Sequence, residues 1–242
     1  MKILCDHQTG YLPWLGLFYR VSLCDIYVSL DTVKYQKRLF ESRNRIKTPD
    51  GFKWLSIPTI KGKSQILKDI KINNTIKWRE DHLKTISYSY RKCDYFDYYF
   101  DNLHKILNKN HNYLMDLNEE LFIFFLKELN IKVEFKKMSD YEVSGQKNEY
   151  LINICKEFKA DAYIFGQFGK EYVYKKLWLE NKIRYYIIEY NHPIYPQRFK
   201  KFVPKLAIID LLFNVGPEGA KKIILEGNPS KEEVKQKLNE FF

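Results

Sequence analysis

MKILCDHQTGYLPWLGLFYRVSLCDIYVSLD, residues 1–31, carries three signals in a fixed order. Met1 to Asp6 is a short apolar run that ends in polar residues. From Pro13 to Cys24 apolar residues recur at helical spacing, and the proline stands at the opening, where a missing N–H costs nothing. Ile26 to Leu30 is rich in β-formers and is closed by Asp31. Strand, loop, helix and strand make a βαβ unit, whose crossover is right-handed in nearly all known cases. Ligands of such units lie at the carboxyl ends of the strands, so Asp6, His7 and Asp31 are expected together at one site.

The rest of the chain extends that unit. No proline falls between Thr59 and His192 and no glycine between Gly62 and Gly145, which removes the strongest helix breakers from the middle. Trp78 to about Leu107 is expected to form one or two helices, and Asp116-Leu117-Asn118-Glu119 resembles a capped helix start. Strands are expected at Ile131 to Phe135, Ala162 to Phe165 and Arg184 to Glu189, with helices at Glu149 to Phe158 and Lys170 to Glu180 between them. Pro204 to Asn214 and Pro217 to Glu226 each place a proline at an expected first helical turn, and Lys231 to Phe242 is expected to form a charged terminal helix. The expected fold is α/β, a mainly parallel sheet built from βαβ units, with a helical middle segment and C-terminal helices. No linker or fixed-period repeat divides the chain, so residues 1–242 are taken as a single α/β domain with a helix-rich insertion around 76–130.

An apolar content of 45% excludes wholesale disorder, while the aromatic share of 17% is high and accommodates core packing or a homodimer interface. Forty-one Lys and Arg against 30 Asp and Glu leave a net charge of +11, which favours an anionic partner. No helix-turn-helix, zinc-finger or RNP-like signature accompanies the charge, so nucleic acid ranks below phosphate-bearing metabolites and acidic proteins. The longest notable apolar run, Leu121 to Leu126, is six residues, far short of the roughly 18 needed for a membrane span. Asp6 and His7 interrupt the start before a signal peptide develops, and a cytoplasmic protein is expected. Cys5, Cys24, Cys93 and Cys155 form no CxxC pair, which argues against a zinc site or a disulfide framework. Cys5 shares a strand face with His7, but a small core filler is the favoured role for it.

Two groups of polar residues stand at strand ends. One comprises His7 and Gln8 with Tyr11 and Asp31; the other is Asn191-His192-Pro193-Ile194-Tyr195-Pro196-Gln197. Histidine exchanges a proton near neutral pH, and a carboxylate such as Asp31 could fix its tautomer. His82, His104 and His111 are taken as surface residues. The segment Lys34 to Lys47 is the richest basic cluster; Arg38, Arg43 and Arg45 can grip phosphate or carboxylate bidentately, with Tyr35, Phe40 and Asn44 interleaved. Phe165-Gly166-Gln167-Phe168-Gly169 is expected to be a tight turn that needs positive φ rather than a phosphate cradle. Neither GxxxxGK[ST] nor GxGxxG occurs, no His/Asp/Glu spacing fits a metal, and no GxSxG elbow is present.

Four ordered blocks carry a family resemblance. They are His7-Gln8 with Tyr11-Leu12-Pro13-Trp14-Leu15-Gly16; Asp31 with Tyr35, Lys37-Arg38 and Arg43 to Lys47; Trp54-Leu55 with Pro58; and His192-Pro193 with Tyr195, Gln197, Phe202, Pro204, Asp210 to Asn214 and Gly216. On these the chain resembles the WbqC-like family of bacterial surface-polysaccharide (O-antigen, lipopolysaccharide) proteins. Thr9-Gly10 departs from the Pro-Asn more usual there, and Ala207 from Ser. The resemblance implies a transferase of surface-glycan biosynthesis, moving an acyl or aminoacyl group such as glycyl from a carrier thioester to the amine of a nucleotide-linked amino sugar. In that scheme His7, Asp31 and His192 are catalytic. Gln8, Tyr11, Trp14, Tyr35, Arg38, Arg43, Asn44, Arg45, Tyr195 and Gln197 bind substrate. No tightly bound cofactor or metal is expected; the donor is a phosphopantetheine-linked acyl group on an acidic carrier protein. The alternatives are a nucleotide-binding enzyme of nucleotidyl-transfer type and a non-catalytic carrier-docking protein of the same pathway.

Overall fold

In the computed structural model, which describes residues 1–241, β1 (Ile3–His7) and β2 (Ile26–Ser29) are parallel and joined by α1 (Leu15–Ser22). This is the βαβ unit expected from residues 1–31. Side chains alternate across it: Ile3, Cys5 and Tyr27 enter one apolar cluster with α1, while Leu4, Ile26 and Val28 enter a second on the other face. A sheet buried on both faces needs apolar residues at every position, which is why β1 and β2 show no polar alternation.

After the hairpin β3 (Arg43–Thr48) and β4 (Gly51–Ser56) come α2 (Trp78–Tyr90), α3 (Phe96–Leu107) and α4 (Leu114–Glu128). Then β5 (Glu134–Lys137), α5 (Lys147–Glu157), β6 (Ala162–Phe165), α6 (Lys175–Glu180) and β7 (Arg184–Ile187) complete the sheet, and α7 (Ile208–Leu225) and α8 (Lys231–Asn239) follow. The sheet is five-stranded and parallel throughout, in the order β5-β2-β1-β6-β7. Counted along the chain without the hairpin, that order is 3-2-1-4-5. The chain winds outward from β1 to one edge, then crosses to β6 on the far side of β1, so the topological switch lies between β1 and β6.

Several boundaries differ from the sequence expectations. The basic cluster is half strand: Arg43 to Thr48 pairs antiparallel with Gly51 to Ser56 across a Pro49-Asp50-Gly51 turn, Gly51 having φ +117°. Asp116 and Asn118 do not cap α4, which begins two residues before Asp116; Asn118 is a buried interior residue that donates to the Thr9 and Glu41 carbonyls at 2.9 and 2.7 Å. Pro204 precedes the last long helix. The residues after it pair instead with β3 and with the chain ahead of α1, Ala207 N–H to Arg45 O and Ile208 N–H to Pro13 O. The two helices expected around Pro217 run together as α7, with a break at Gly216 (φ +70°). The expected terminal helix ends at Asn239, and Phe242 lies outside the described residues.

At Gly216 conformation and space act together: a Cβ would lie 2.4 Å from the Tyr95 ring. Gly216→Ala is therefore expected to lower stability by about 2 to 4 kcal/mol, from left-handed strain plus overpacking. A urea midpoint indistinguishable from wild type would refute this.

Candidate functional site

A cavity of about 450 Å³ opens at the carboxyl ends of β1 and β6. Its wall is built from four segments: the β1–α1 loop with the start of α1, the β3 hairpin and its preceding loop, the turn after β6, and the chain after β7. This is where open parallel sheets place their ligands, because the loops on either side of a switch diverge and leave a crevice.

The β1–α1 loop is held from three directions. Thr9 Oγ1 lies 3.0 Å from Tyr27 Oη and 2.8 Å from Ser29 Oγ, and Ser29 in turn donates to Glu119 at 3.0 Å. Tyr11 N–H donates to Phe40 O at 2.9 Å, and Asn44 Nδ2 donates to Leu12 O at 2.7 Å. Tyr11 Oη and His82 Nδ1 share a bond of 2.9 Å. Both residues are buried, and burial lowers the His82 pKa to about 4, so the ring is neutral at pH 7. The helical middle segment thus clamps the loop. His82 and His111, expected at the surface, are buried; His111 faces Glu120 at 2.7 Å. Helical spacing gave no hint of either, since both partners are distant or sit across a turn. Thr9, at the departure from the usual Pro-Asn, supplies the hydroxyl that joins the loop to β2.

His7 is the last residue of β1 and stands open to the cavity. Its Nδ1–H donates to Gln8 O at 2.7 Å, which leaves Nε2 as the unprotonated nitrogen. The protein packed around it and the nearby Arg20 guanidinium lower its pKa to about 4. In a titration followed by NMR of the ring C–H groups, His7 should change charge near pH 4. A midpoint at the ordinary 6.5 would mean that the ring is fully solvated and free of the Arg20 field.

Of the residues singled out from sequence, His7, Gln8, Trp14, Asn44 and Arg45 line the cavity. Arg45 also donates to Lys205 O at 3.1 Å and lies over the Phe52 ring at 4.9 Å. Arg43 lies over Trp54 at 4.1 Å, and Arg38 is exposed in the preceding loop with φ +68°. Tyr35 donates to Ser42 Oγ at 2.9 Å. Asp31 is buried on the far side of β2 from β1, where its carboxylate accepts Ser139 N–H at 2.8 Å. His192 stacks on Trp14, with ring planes 9° apart; its Nδ1–H donates to Pro193 O and its Nε2 accepts Lys205 N–H at 3.0 Å. Both ring nitrogens are engaged, so it props Trp14 against the cavity. Tyr195 donates to Asp210, and the Gln197 amide bonds both Val203 N–H and Val203 O.

The cavity adds Arg20, Tyr190 and Lys205, which no sequence motif singled out, and Gly166, Gln167 and Phe168, which the sequence marks only as a turn. A signal existed for Arg20, the one charged residue between Pro13 and Cys24 on a helix buried all round. The Phe165 to Gly169 turn is a 3-10 turn with φ −68° at Gly166 and no left-handed glycine. Glycine is needed at 169 for space, since a Cβ would lie 2.5 Å from that of Phe165. Cys5, Cys24 and Cys155 are buried, Cys93 is half-buried, and all four are free thiols. Among the described residues no group of three or more His, Cys, Asp or Glu could hold a metal ion, and no helix is long and apolar enough to cross a membrane.

Comparison with known proteins gives a match to the WbqC-like protein family over residues 8–222. A relative from Mycobacterium tuberculosis (strain ATCC 25618 / H37Rv), "Uncharacterized protein Rv1507c", is 32% identical over 222 residues, which cover 90% of this chain and 96% of that protein. No solved structure matches the chain.

Proposed function

From the premise that this chain belongs to the WbqC-like protein family, we propose that it is a transferase of bacterial surface-glycan biosynthesis that moves an acyl or aminoacyl group, such as glycyl, from a carrier thioester to the amine of a nucleotide-linked amino sugar. The observation that carries this reading is the switch-point cavity, lined by His7 with its Nε2 unprotonated, by the aromatic Trp14, Tyr190 and Phe168 and by the cations Arg45 and Lys205, with no carboxylate of the described residues in the lining. Such a chamber suits a ligand with an aromatic base, a diphosphate and one reacting amine.

In the reaction the amine nitrogen attacks the thioester carbonyl carbon, the C–S bond breaks, and an amide and a free carrier thiol result. The proton shed by nitrogen passes to His7 Nε2 and is returned to the departing thiolate. Arg45 and Lys205 hold the diphosphate, and the net charge of +11 attracts an acidic carrier protein. The protein works in the cytoplasm, where nucleotide-linked sugars and carrier thioesters are available.

The test is incubation with a charged carrier and a panel of nucleotide-linked amino sugars that varies amine position and acyl group, read by mass spectrometry. One acylated sugar supports the proposal; no mass gain across the panel refutes it. The 3-2-1-4-5 strand order, a nucleotide-binding arrangement, favours as the second reading an enzyme of nucleotidyl-transfer type. Release of pyrophosphate from a nucleoside triphosphate in the same assay would select it.

A further inference from the structure

At the floor of the cavity α1 presents Arg20, whose side chain is buried to 7% exposure inside the protein yet lines the chamber. Its Nε donates to Ile164 O at 3.0 Å and one Nη donates to Tyr163 Oη at 3.5 Å. The other, Nη1, has no protein acceptor among the described residues. It lies near Gly166, where an added Cβ would stand 3.8 Å away, so the turn after β6 leaves this edge of the guanidinium uncrowded.

The nearest acid, Asp6, makes no direct ion pair with it. Tyr163 stands between them and donates its hydroxyl to Asp6 Oδ1 at 2.8 Å, and Asp6 Oδ2 is buried without a partner. Burial raises the Asp6 pKa, which weakens the one carboxylate close enough to balance the cation. A buried guanidinium without a paired carboxylate is costly unless something else supplies the charge. Among the described residues the cavity lining offers none: its basic side chains are His7, Arg20, Arg45 and Lys205, and it holds no carboxylate.

We infer that Arg20 is the anion anchor of this cavity, binding through its free Nη1 edge an oxyanion group of the ligand, phosphate or carboxylate. Both present anionic oxygens to the Nη1 N–H groups and are not distinguished by that contact alone. The inference rests on the cavity being the substrate site, but not on which group is transferred there. It also carries a consequence for His7. Burial is the larger cause of the low His7 pKa and the Arg20 charge the second, so an anion docked on Arg20 offsets the Arg20 contribution and moves the His7 midpoint upward.

The experiment is calorimetric titration of the purified protein with pyrophosphate, UDP and acetate, alongside Arg20→Met, Arg20→Lys and, for comparison with the second arginine of the cavity, Arg45→Met, with far-UV circular dichroism on each. Arg20→Met should weaken the tightest-binding probe by at least about tenfold, Arg20→Lys should fall between, since it keeps the charge and loses the Nε and Nη bonds that orient it, and Arg45→Met should cost less, since that guanidinium already donates to Lys205 O. Dependence seen with pyrophosphate and UDP marks a phosphate ligand, and dependence seen with acetate alone marks a carboxylate; both support the anchor. In wild type, the saturating probe should also raise the NMR titration midpoint of His7, a shift that a purely structural arginine would not produce. Unchanged affinity in a folded Arg20→Met protein overturns the inference. If that variant does not fold, equal affinities of Arg20→Lys and wild type together with an unmoved His7 midpoint overturn it instead. Transfer activity enters none of these readouts, so anion binding can fail while acyl transfer stands, or the reverse.

Discussion

His7→Gln is expected to lower kcat/KM for the proposed amide formation by roughly 10²- to 10⁴-fold while leaving the affinity for the nucleotide-linked sugar within about threefold. The expectation follows from placement. The Nδ1–H donates to Gln8 O, so the tautomer is fixed by the backbone and Nε2 faces the reaction without a proton. Glutamine keeps a polar group of similar reach and has no basic nitrogen. Since His7 is open to the cavity, the change removes little packing. Wild-type turnover in a folded His7→Gln protein would exclude this histidine as the proton acceptor, and a large loss of binding would make it a contact residue instead.

Asp210→Ala should destabilise the fold by about 3 to 5 kcal/mol, measured by urea unfolding. Asp210 is fully buried in α7 and accepts Tyr90 Oη at 2.8 Å and Tyr195 Oη at 2.9 Å. Tyr90 Oη also accepts the Lys47 N–H at 2.9 Å, and the buried Lys47 ammonium donates to Lys201 O. One carboxylate therefore ties together α7, α2, the hairpin and the chain after β7. Its removal leaves two buried hydroxyls without their acceptor and a void beside them. The effect has a pH signature. Burial raises the Asp210 pKa from 3.8 to about 6. A folded state that holds the proton more tightly than the unfolded chain gains stability as pH falls from 6 towards 3.8, and lacks that gain above 6. The gap between wild type and Asp210→Ala should accordingly widen by about 1 kcal/mol between pH 8 and pH 5, close to one unit below the folded value. A gap that narrows over that interval would mean that Asp210 is stabilised as the carboxylate, with Lys47 winning over burial.

Both outcomes bear on how much residues 1–31 and the motifs beyond them could say. The βαβ start, the strands at Ala162 to Phe165 and Arg184 onward, and the pair of helices from Trp78 were legible because apolar periodicity and glycine or proline punctuation are local properties of the chain. His7, Gln8 and Trp14 were legible as neighbours of the cavity for the same reason: a loop between a strand and a helix opens at the strand's carboxyl end wherever the strand lies. Asn44 and Arg45 entered through the basic cluster, although the cluster is half strand and its Arg43 is spent on Trp54.

Asp31 and Arg20 mark the limit. Asp31 follows the neighbouring strand at the correct level, and strand-end reasoning therefore placed it beside His7. The cavity instead opens on the other flank of β1, because β6, which arrives more than 150 residues later, pairs there and puts the switch point between β1 and β6. No local pattern records which side a distant strand will join. For Arg20 the sequence showed a lone charge on an apolar helix, and only the packing of α1 against β6 turned it into a cation facing a chamber. The α/β class, the opening βαβ unit and the strand-end position of His7 depend on periodicity and chain direction, and both are local properties of the chain. The strand order, and with it the flank on which the cavity forms and the company His7 keeps, depends on pairing between segments far apart in the chain and emerges only when they pack.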